Sequence, residues 1–541
     1  MKFTIASFGL LLATILIPWN LPMATAQSQP EQSPEVAREP DSHSELIVHE
    51  WGTWTELQDL EGISVGGINT DDEPVPAFVH RVGNVLEPTV EQFRNSFRLS
   101  KGVRFLENVR TRLETPVIYF YPPTTREKSL TVSVDVQLRG GWLSEFYPYA
   151  KSMAPGLSHY RLGEHMAGSL QWPSLEIGAK GSEAESKIPL TDEHVWLAPR
   201  KTEAALVRSK SNIPQGEGKT RALDESEHYV FYRGVGNFAG PLKAVTDLAT
   251  DSLTLHSSFY RAGAAAPLQV DKLWLVSVES NGDLAFRTID GFQAPHDRPA
   301  IVADFGRDFE PEEHNSANLQ ELHREMHRAL VADGLYDDEA TAMLTTWRDA
   351  YFKSPGLRLF YMVPQEWTDD RMPLTLSANA ELQRVMIGRI ELYSDQHLAT
   401  VAKMKRQTPA NNDWKKALYE LKKEENALAE SANKQQETKD ASKQIKLAWD
   451  WLDNTKYAAV AVDFWRGANN INELEAAGIE IPASYKSYMQ LGRFRNAILR
   501  HQALKTGDAN LLQFLRNYGL MTSTLSAKYP LDAPAVSQVL K

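Results

Sequence analysis

The chain has 541 residues, with 58 lysine and arginine residues against 70 aspartate and glutamate residues, so its formal net charge is −12. This balance argues against nucleic acid as a partner, because binding nucleic acid requires a basic surface that releases counterions. The absence of cysteine excludes disulfides, thiolate metal ligands, cysteine nucleophiles and the lipid anchor of bacterial lipoproteins.

The N-terminus has the pattern of a cleavable secretory signal peptide over residues 1–26. Lys2 supplies the positive charge, Phe3–Ile17 forms an apolar core, and Ala24-Thr25-Ala26 is a small-residue cleavage sequence. Cleavage is expected after Ala26, and no later segment is apolar for long enough to span a membrane. Export without cysteines or Asn-x-Ser/Thr sequons favours a bacterial periplasm or cell surface.

The rest of the chain divides by composition into a linker, a β-rich region and a helical region. Residues 27–44 have almost nothing apolar to bury, which predicts a disordered linker. Residues 45–395 carry short β-branched and aromatic runs between turn residues, whereas residues 396–541 have mainly helical patterns. The predicted fold class is therefore α+β, with a β-rich, sandwich-like N-terminal region, an inserted helical pair and a C-terminal helical region.

Several segments of the β-rich region have strand or hairpin patterns. Leu130–Leu138 alternates apolar and polar side chains, which predicts a strand with one buried face. Asn281-Gly282 joins two β-type runs and predicts a tight hairpin, because this pair tolerates positive φ. Residues 208–225 are polar and contain glycine and proline, so they are either an exposed loop or a boundary between two β modules.

A helical pair interrupts the strand pattern over residues 315–352. Apolar side chains recur at helical spacing in Asn318–Val331, Gly334 suits a helix C-cap, and Asp337–Phe352 repeats the amphipathic pattern. Two further strand-like runs follow between residues 357 and 393. We expect them to complete the β core rather than begin a new domain.

The ordered region opens with His49-Glu50-Trp51-Gly52-Thr53-Trp54-Thr55, and residues 71–80, 113–121 and 139–148 contain further characteristic stretches. Together they resemble an uncharacterised family of secreted bacterial proteins with an H-E-W-G-T-[FW]-T opening motif. This chain has Trp54 where phenylalanine is expected, and both are large aromatic side chains. The resemblance covers roughly residues 46–395 and implies no particular reaction.

Imidazole and carboxylate side chains are dense at the start of the ordered region, and a hairpin or long loop would bring them together. The candidate catalytic residues are His49, Glu50, Asp72 and Glu73, and the candidate metal ligands are His49, Asp71, Glu73 and His80. Histidines together with carboxylates can act as general acids and bases or bind a zinc ion, whereas carboxylates alone can bind calcium. The alternative is structural, with Glu50 and Asp72 holding turns through backbone amides.

Two histidines occur at helical spacing in His323-Arg324-Glu325-Met326-His327. A spacing of four residues places both on one helical face, as in zinc-binding helices, but Glu325 points around the helix from both. The segment therefore does not match the zincin motif, and a solvated helix face is the competing interpretation.

Aromatic side chains are concentrated in the first part of the β-rich region. The candidate ligand-binding residues are Trp54, Trp142, Glu145 and Trp196. Exposed tryptophans beside carboxylates would stack on sugar rings, whereas buried ones would be core residues. Gly140-Gly141 permits a bulge that re-aims Trp142 and Glu145.

These features favour an exported cell-envelope protein that binds a glycan or wall polymer through the aromatic-lined β region. Two alternatives stay open: a metal-dependent or acid–base hydrolase of such a polymer, and a structural protein of the envelope. The charged residues 414–444 predict a long helical arm, so the tail is a candidate for self-association or for binding a protein partner.

Overall fold

The computed structural model describes the chain over residues 45–69, 75–82, 107–123, 128–155, 157–158, 161–178, 195–216, 219–259, 267–295, 300–348, 350–408, 483–517 and 520–528. The predicted signal peptide (1–26), linker (27–44) and charged arm (414–444) lie outside these residues. Their interpretations therefore stay predictions.

A nine-stranded mixed sheet forms the centre of the fold. In spatial order its strands are β16 (Leu284–Ala294), β15 (Leu268–Val278), β18 (Gly356–Val363), β20 (Ala380–Leu392), β1 (Leu46–Gln58), β3 (Thr111–Tyr121), β12 (Val230–Gly236), β5 (Gly141–Tyr147) and β2 (His80–Arg81). Strands β1 and β20 pair in parallel, and the other neighbours pair antiparallel. The prediction that the strands after the helical pair complete the β core is confirmed.

Two of the three smaller sheets in the described chain pack against one face of the central sheet. One contains β11 (Lys219–Glu227), β10 (Val207–Gly216), β9 (Ala167–Ile177), β4 (Leu130–Arg139), β19 (Leu374–Leu376) and β6 (Lys151–Met153); another contains β13 (Leu242–Asp247), β14 (Ser252–Ser257) and β17 (Ala300–Gly306); β7 (Leu157–Ser158) pairs with β8 (Arg161–Leu162). Val48 and Trp54 of β1 share one buried core with Val134, Trp172 and Leu255 of the covering sheets. This packing gives the predicted sandwich-like arrangement.

Helices cover the opposite face of the central sheet. The helices on this face are α1 (Leu197–Arg200), α2 (Asn318–Ala332) and α3 (Asp337–Trp347), and a short 3₁₀ turn spans Pro311–Glu313. Helix α4 (Gln365–Arg371) lies instead on the side of the covering sheets, where its Trp367 packs against Trp54. Met326 of α2 and Trp347 of α3 pack with Trp51 and Trp274 of the sheet. The predicted helical pair is confirmed, although α3 ends at Trp347, earlier than the sequence pattern suggested.

The described part of the C-terminal region is helical, as predicted. Its helices are α5 (Asp395–Gln407), α6 (Ala483–Met489), α7 (Arg495–Thr506), α8 (Ala509–Asn517) and α9 (Ser523–Lys528). Their apolar side chains pack with Leu57, Val109 and Tyr393 at the end of the central sheet where β1 finishes. Within the described ranges, no helix has the length and hydropathy needed to cross a membrane.

Two local predictions have different outcomes. The hairpin at Asn281-Gly282 is confirmed, since it joins β15 to β16 and Gly282 has a φ of 90°. The exposed-loop interpretation of residues 208–225 is wrong, because β10 and β11 form a hairpin there. Several β11 side chains are exposed, so the polar composition reflects a sheet edge rather than a loop.

Candidate functional site

The side chains of His49 and Glu50 lie on opposite faces of β1, because successive side chains in a strand alternate. His49 faces the helical layer, where its Nδ1 lies 2.8 Å from Oε2 of Glu339. Glu50 faces the covering sheets, where its Oε2 accepts a 2.6 Å hydrogen bond from Nε of Arg384. The two adjacent residues therefore belong to separate buried networks and do not form one site.

The His49 network ties β1 to the helical pair. Glu339 also accepts hydrogen bonds from the Tyr121 hydroxyl at 2.8 Å and from the backbone N–H of Tyr336 at 2.7 Å. His49 packs against the rings of Tyr121 and Tyr336. Burial and the Glu339 charge raise the pKa of Tyr121 well above its ordinary value. This network has a structural role, because its polar groups satisfy one another inside the protein.

The Glu50 network lies on the other side of β1. The Tyr232 hydroxyl donates to Glu50, and Nη1 of Arg384 donates to Asp369 at 2.8 Å and to the Met372 carbonyl at 2.7 Å. Burial alone would lower the pKa of Arg384, but the charge of Glu50, together with Tyr232 and the hydrogen bonds to Glu50 and Asp369, outweighs it and the pKa lies above the ordinary value. Both partners of the ion pair are fully buried, so Glu50 is a core charge.

His80 lies at the far edge of the central sheet from His49. Four strand spacings of about 4.8 Å separate β1 from β2, a distance of roughly 19 Å. His80 Nε2 lies 2.7 Å from Oε1 of Glu225, and its ring stacks near Phe146. The expected convergence of the histidines therefore does not occur.

The predicted metal site is only partly within the described residues. Asp71, Asp72 and Glu73 lie outside them. Among the residues that the structure does describe, no group of three or more histidine or carboxylate side chains could hold a metal ion. A metal at Asp71–Glu73 stays a prediction.

The candidate sugar-binding residues are mostly interior. Trp54 is 2% exposed and meets Trp367 edge-to-face, and Trp196 is 5% exposed and donates its Nε1–H to Glu227 at 2.9 Å. The other two candidates are also engaged within the fold: Trp142 is half-buried against the C-terminal helical core, and Glu145 pairs with Arg81 and Arg233. Trp54 and Trp196 are thus core residues rather than exposed platforms for a sugar.

An open groove of about 470 Å³ lies between α2, β15 and β18, and sequence reasoning did not identify it. It is lined by Asp271 and Lys272 of β15, by Glu325, Arg328, Ala329 and Ala332 of α2, by Asp333 and by Met362 of β18. The groove combines three carboxyl groups with two cationic groups beside a small apolar surface. Such a mixture of donors and acceptors suits a polar, hydroxyl-rich ligand.

The carboxyl groups of this groove differ in environment. Burial of Asp333, together with the charge of nearby Asp271, raises the pKa of Asp333 to about 6. Its position at the C-terminal end of α2 adds to this effect, because a negative charge is unfavourable there. Glu325 Oε2 accepts a 2.5 Å hydrogen bond from the Thr288 hydroxyl, which orients it. The groove therefore holds a proton donor and carboxylate acceptors within one cavity.

Of the three carboxyl residues in this groove, sequence reasoning had singled out only Glu325. Glu325 does point away from His323 and His327, as its place in the helix predicted: Glu325 lines the groove, and both histidines line a neighbouring pocket. Asp271 and Asp333 are 62 positions apart and belong to no motif. Comparisons with known protein families and with curated protein sequences found no match to this chain.

Proposed function

We propose that this protein is an exported cell-envelope hydrolase that binds a glycan or related wall polymer in the Asp271–Asp333 groove and cleaves it by acid–base chemistry. The observation that carries the proposal is the placement of Asp271, Glu325 and Asp333 around one open cavity with Lys272 and Arg328. Paired carboxyl groups in different environments are the arrangement that glycoside hydrolysis requires.

In this mechanism Asp333 is the general acid. Its raised pKa keeps a fraction of the carboxyl protonated near neutral pH, so it can protonate the oxygen of the leaving sugar. The bond between that oxygen and the anomeric carbon then breaks while a water oxygen bonds to the carbon. Asp271 accepts the proton that the water loses, and Glu325, Lys272 and Arg328 hydrogen-bond to the sugar hydroxyls.

The groove also supports binding without the aromatic platforms that the sequence suggested. Lys272 and Arg328 donate hydrogen bonds, the carboxylates accept them, and Met362 offers an apolar contact. Sugar hydroxyl groups are both donors and acceptors, so this lining matches them. The glycan-binding hypothesis is therefore kept, but at a different surface.

The test is release of reducing ends from envelope and algal polysaccharides by the purified protein, its Asp333→Asn and Asp271→Asn variants, and Asp304→Asn. Asp304 is an exposed aspartate on β17 and serves as the matched control. We expect at least a hundredfold loss of rate for the two groove variants, with binding retained, and no change for the control. Binding without hydrolysis in the wild type would favour a purely binding protein. If the wild type neither binds nor cleaves any of these polymers, the proposal is overturned.

Export is a second part of the proposal. The support is the sequence pattern of residues 1–26 and the resemblance to secreted proteins. Cell fractionation with N-terminal sequencing should locate the protein in the periplasm or at the surface, starting at Gln27. A cytoplasmic protein that retains Lys2 would contradict it. Light scattering of the full chain tests self-association through the tail.

A further inference from the structure

A second pocket, of about 660 Å³, lies between α2 and α3. Helix α2 supplies His323, Arg324 and His327, and helix α3 supplies Thr341 and Leu344. This pocket adjoins the groove, because its side of α2 borders the side that carries Glu325. The two histidines of the sequence motif therefore line a cavity.

The pocket is locally rich in positive charge, although the chain has a net charge of −12. Its guanidinium groups come from Arg324, Arg328 and Arg348. The nearby carboxylates are those of Glu321, which pairs with Arg324 and lies 3.9 Å from Arg328, and of Asp337, which lies 3.4 Å from His327. Among the described residues that line the pocket, three arginines thus stand beside the single carboxylate of Glu321, before either histidine is protonated.

His323 offers an additional hydrogen-bonding atom. Its Nε2 is buried and has no hydrogen-bond partner among the described residues, while its ring meets Phe352 edge-on. A buried polar atom without a partner is uncommon in folded proteins, and a ligand atom is one way to satisfy it. Burial lowers the pKa of His323, so the ring stays neutral at physiological pH and one of its nitrogens can donate to an oxygen.

We propose that this pocket binds an oxyanion, the carboxylate or sulfate group of an acidic polysaccharide, and so defines the substrate class of the neighbouring groove. The inference rests on the proposed function. Arg328 borders both cavities, so a polymer that lies across α2 can place a neutral sugar in the groove and an acidic substituent in the pocket. Guanidinium groups suit this role because their forked donors match the paired oxygens of carboxylate and sulfate groups.

The experiment measures binding by calorimetry to full-length Asp333→Asn protein, in which the polymer is not cleaved. The probes are polygalacturonate, dextran sulfate and neutral dextran, at low and at physiological salt. We expect one acidic polymer to bind with an affinity that falls with salt, and neutral dextran to bind at least tenfold more weakly. Replacing Arg324 by glutamine should lower the affinity about tenfold. Arg221→Gln, which removes an exposed arginine of β11, is the charge-matched control.

Equal losses for Arg324→Gln and Arg221→Gln would overturn the oxyanion pocket, because they would reflect net charge alone. Equal affinity for neutral and acidic polymers would also overturn it. Cleavage of neutral polymers without any preference for acidic ones would reject the pocket and leave the hydrolase proposal standing. Specific binding of an acidic polymer that the wild type never cleaves would reject the hydrolase proposal and leave the oxyanion pocket standing.

Discussion

His49 in the first strand contacts Glu339 in the helical pair, with 2.8 Å between Nδ1 and Oε2 across 290 positions of sequence. The same carboxylate accepts hydrogen bonds from the Tyr121 hydroxyl and the Tyr336 backbone. The Glu339 carboxylate therefore links β1, β3 and the start of α3 through hydrogen bonds. Its environment makes it part of the framework that holds the helical layer, and hence the groove, against the sheet.

Glu339→Ala should lower the free energy of unfolding by about 3 kcal/mol or more, because each buried polar group left without a partner costs about 1–3 kcal/mol. Urea denaturation followed by tryptophan fluorescence measures this change. Asp337→Asn, at an exposed position in the first turn of the same helix, is the control and should change stability by less than about 0.5 kcal/mol. A loss no larger than that of the control would show that the network does not stabilise the fold.

Arg384→Met should cost about 3–5 kcal/mol, since it leaves the Glu50 carboxylate buried without its cation. Adding Glu50→Gln to this variant should recover part of the loss, because the neutral amide needs no cation. Chemical denaturation of the two single variants and the double variant completes the cycle. Strictly additive losses would contradict a coupled ion pair.

Asp333→Asn should stabilise the protein more at pH 7 than at pH 4. The folded-state pKa of about 6 lies above the ordinary value of 3.8, so the stability that protonation provides is complete below about pH 3.8 and is lost as the pH rises through 6. Asparagine does not titrate, so the variant does not lose this stability as the pH rises. The measurement is the difference in unfolding free energy between variant and wild type across that pH range. A difference that does not change with pH would contradict the raised pKa.

Gly388→Ala should destabilise the protein by about 1–3 kcal/mol or more through overpacking. Gly388 of β20 is the cross-strand partner of Tyr361, and an added methyl group would overlap the Tyr361 ring. Thermal unfolding measures the effect. Tyr361→Leu should suppress most of the additional cost of Gly388→Ala in the double variant. Gly282→Ala is the control: an added methyl group meets no atom within 4 Å there, so the protein should lose stability only because this position has a positive φ.

Local patterns in the sequence predicted where strands and helices lie better than they predicted which elements pair with one another. Alternation identified β4, and the asparagine-glycine pair identified the β15–β16 hairpin, because both depend on adjacent residues. The parallel pairing of β1 with β20 left no local signal, since it joins residues about 334 positions apart. Chain proximity was also a poor guide to the site: His49 and Glu50 are neighbours in sequence, and strand alternation sends them to opposite layers.

The groove illustrates the same limit. Glu325 was recognised within a helical motif, but Asp333 at the end of the same helix belongs to no motif, and Asp271 joins them only when α2 packs over β15. Neither aspartate has a distinctive sequence environment, although Gly334 correctly indicated the end of α2, which finishes at Ala332 with Asp333 as its C-cap. Side chains that form a cavity between distant elements become visible only when the tertiary contacts are known.

The thirteen-residue strand β1 begins at Leu46, close to the start of the described residues, yet one of its two neighbours, β20, ends only at Leu392. Until that residue is available, the long edge of β1 exposes unpaired backbone groups, which are a template for pairing with other chains. Truncation before Ala380 would leave this edge open permanently. The protein therefore depends on nearly its whole β-rich region to protect β1 from aggregation.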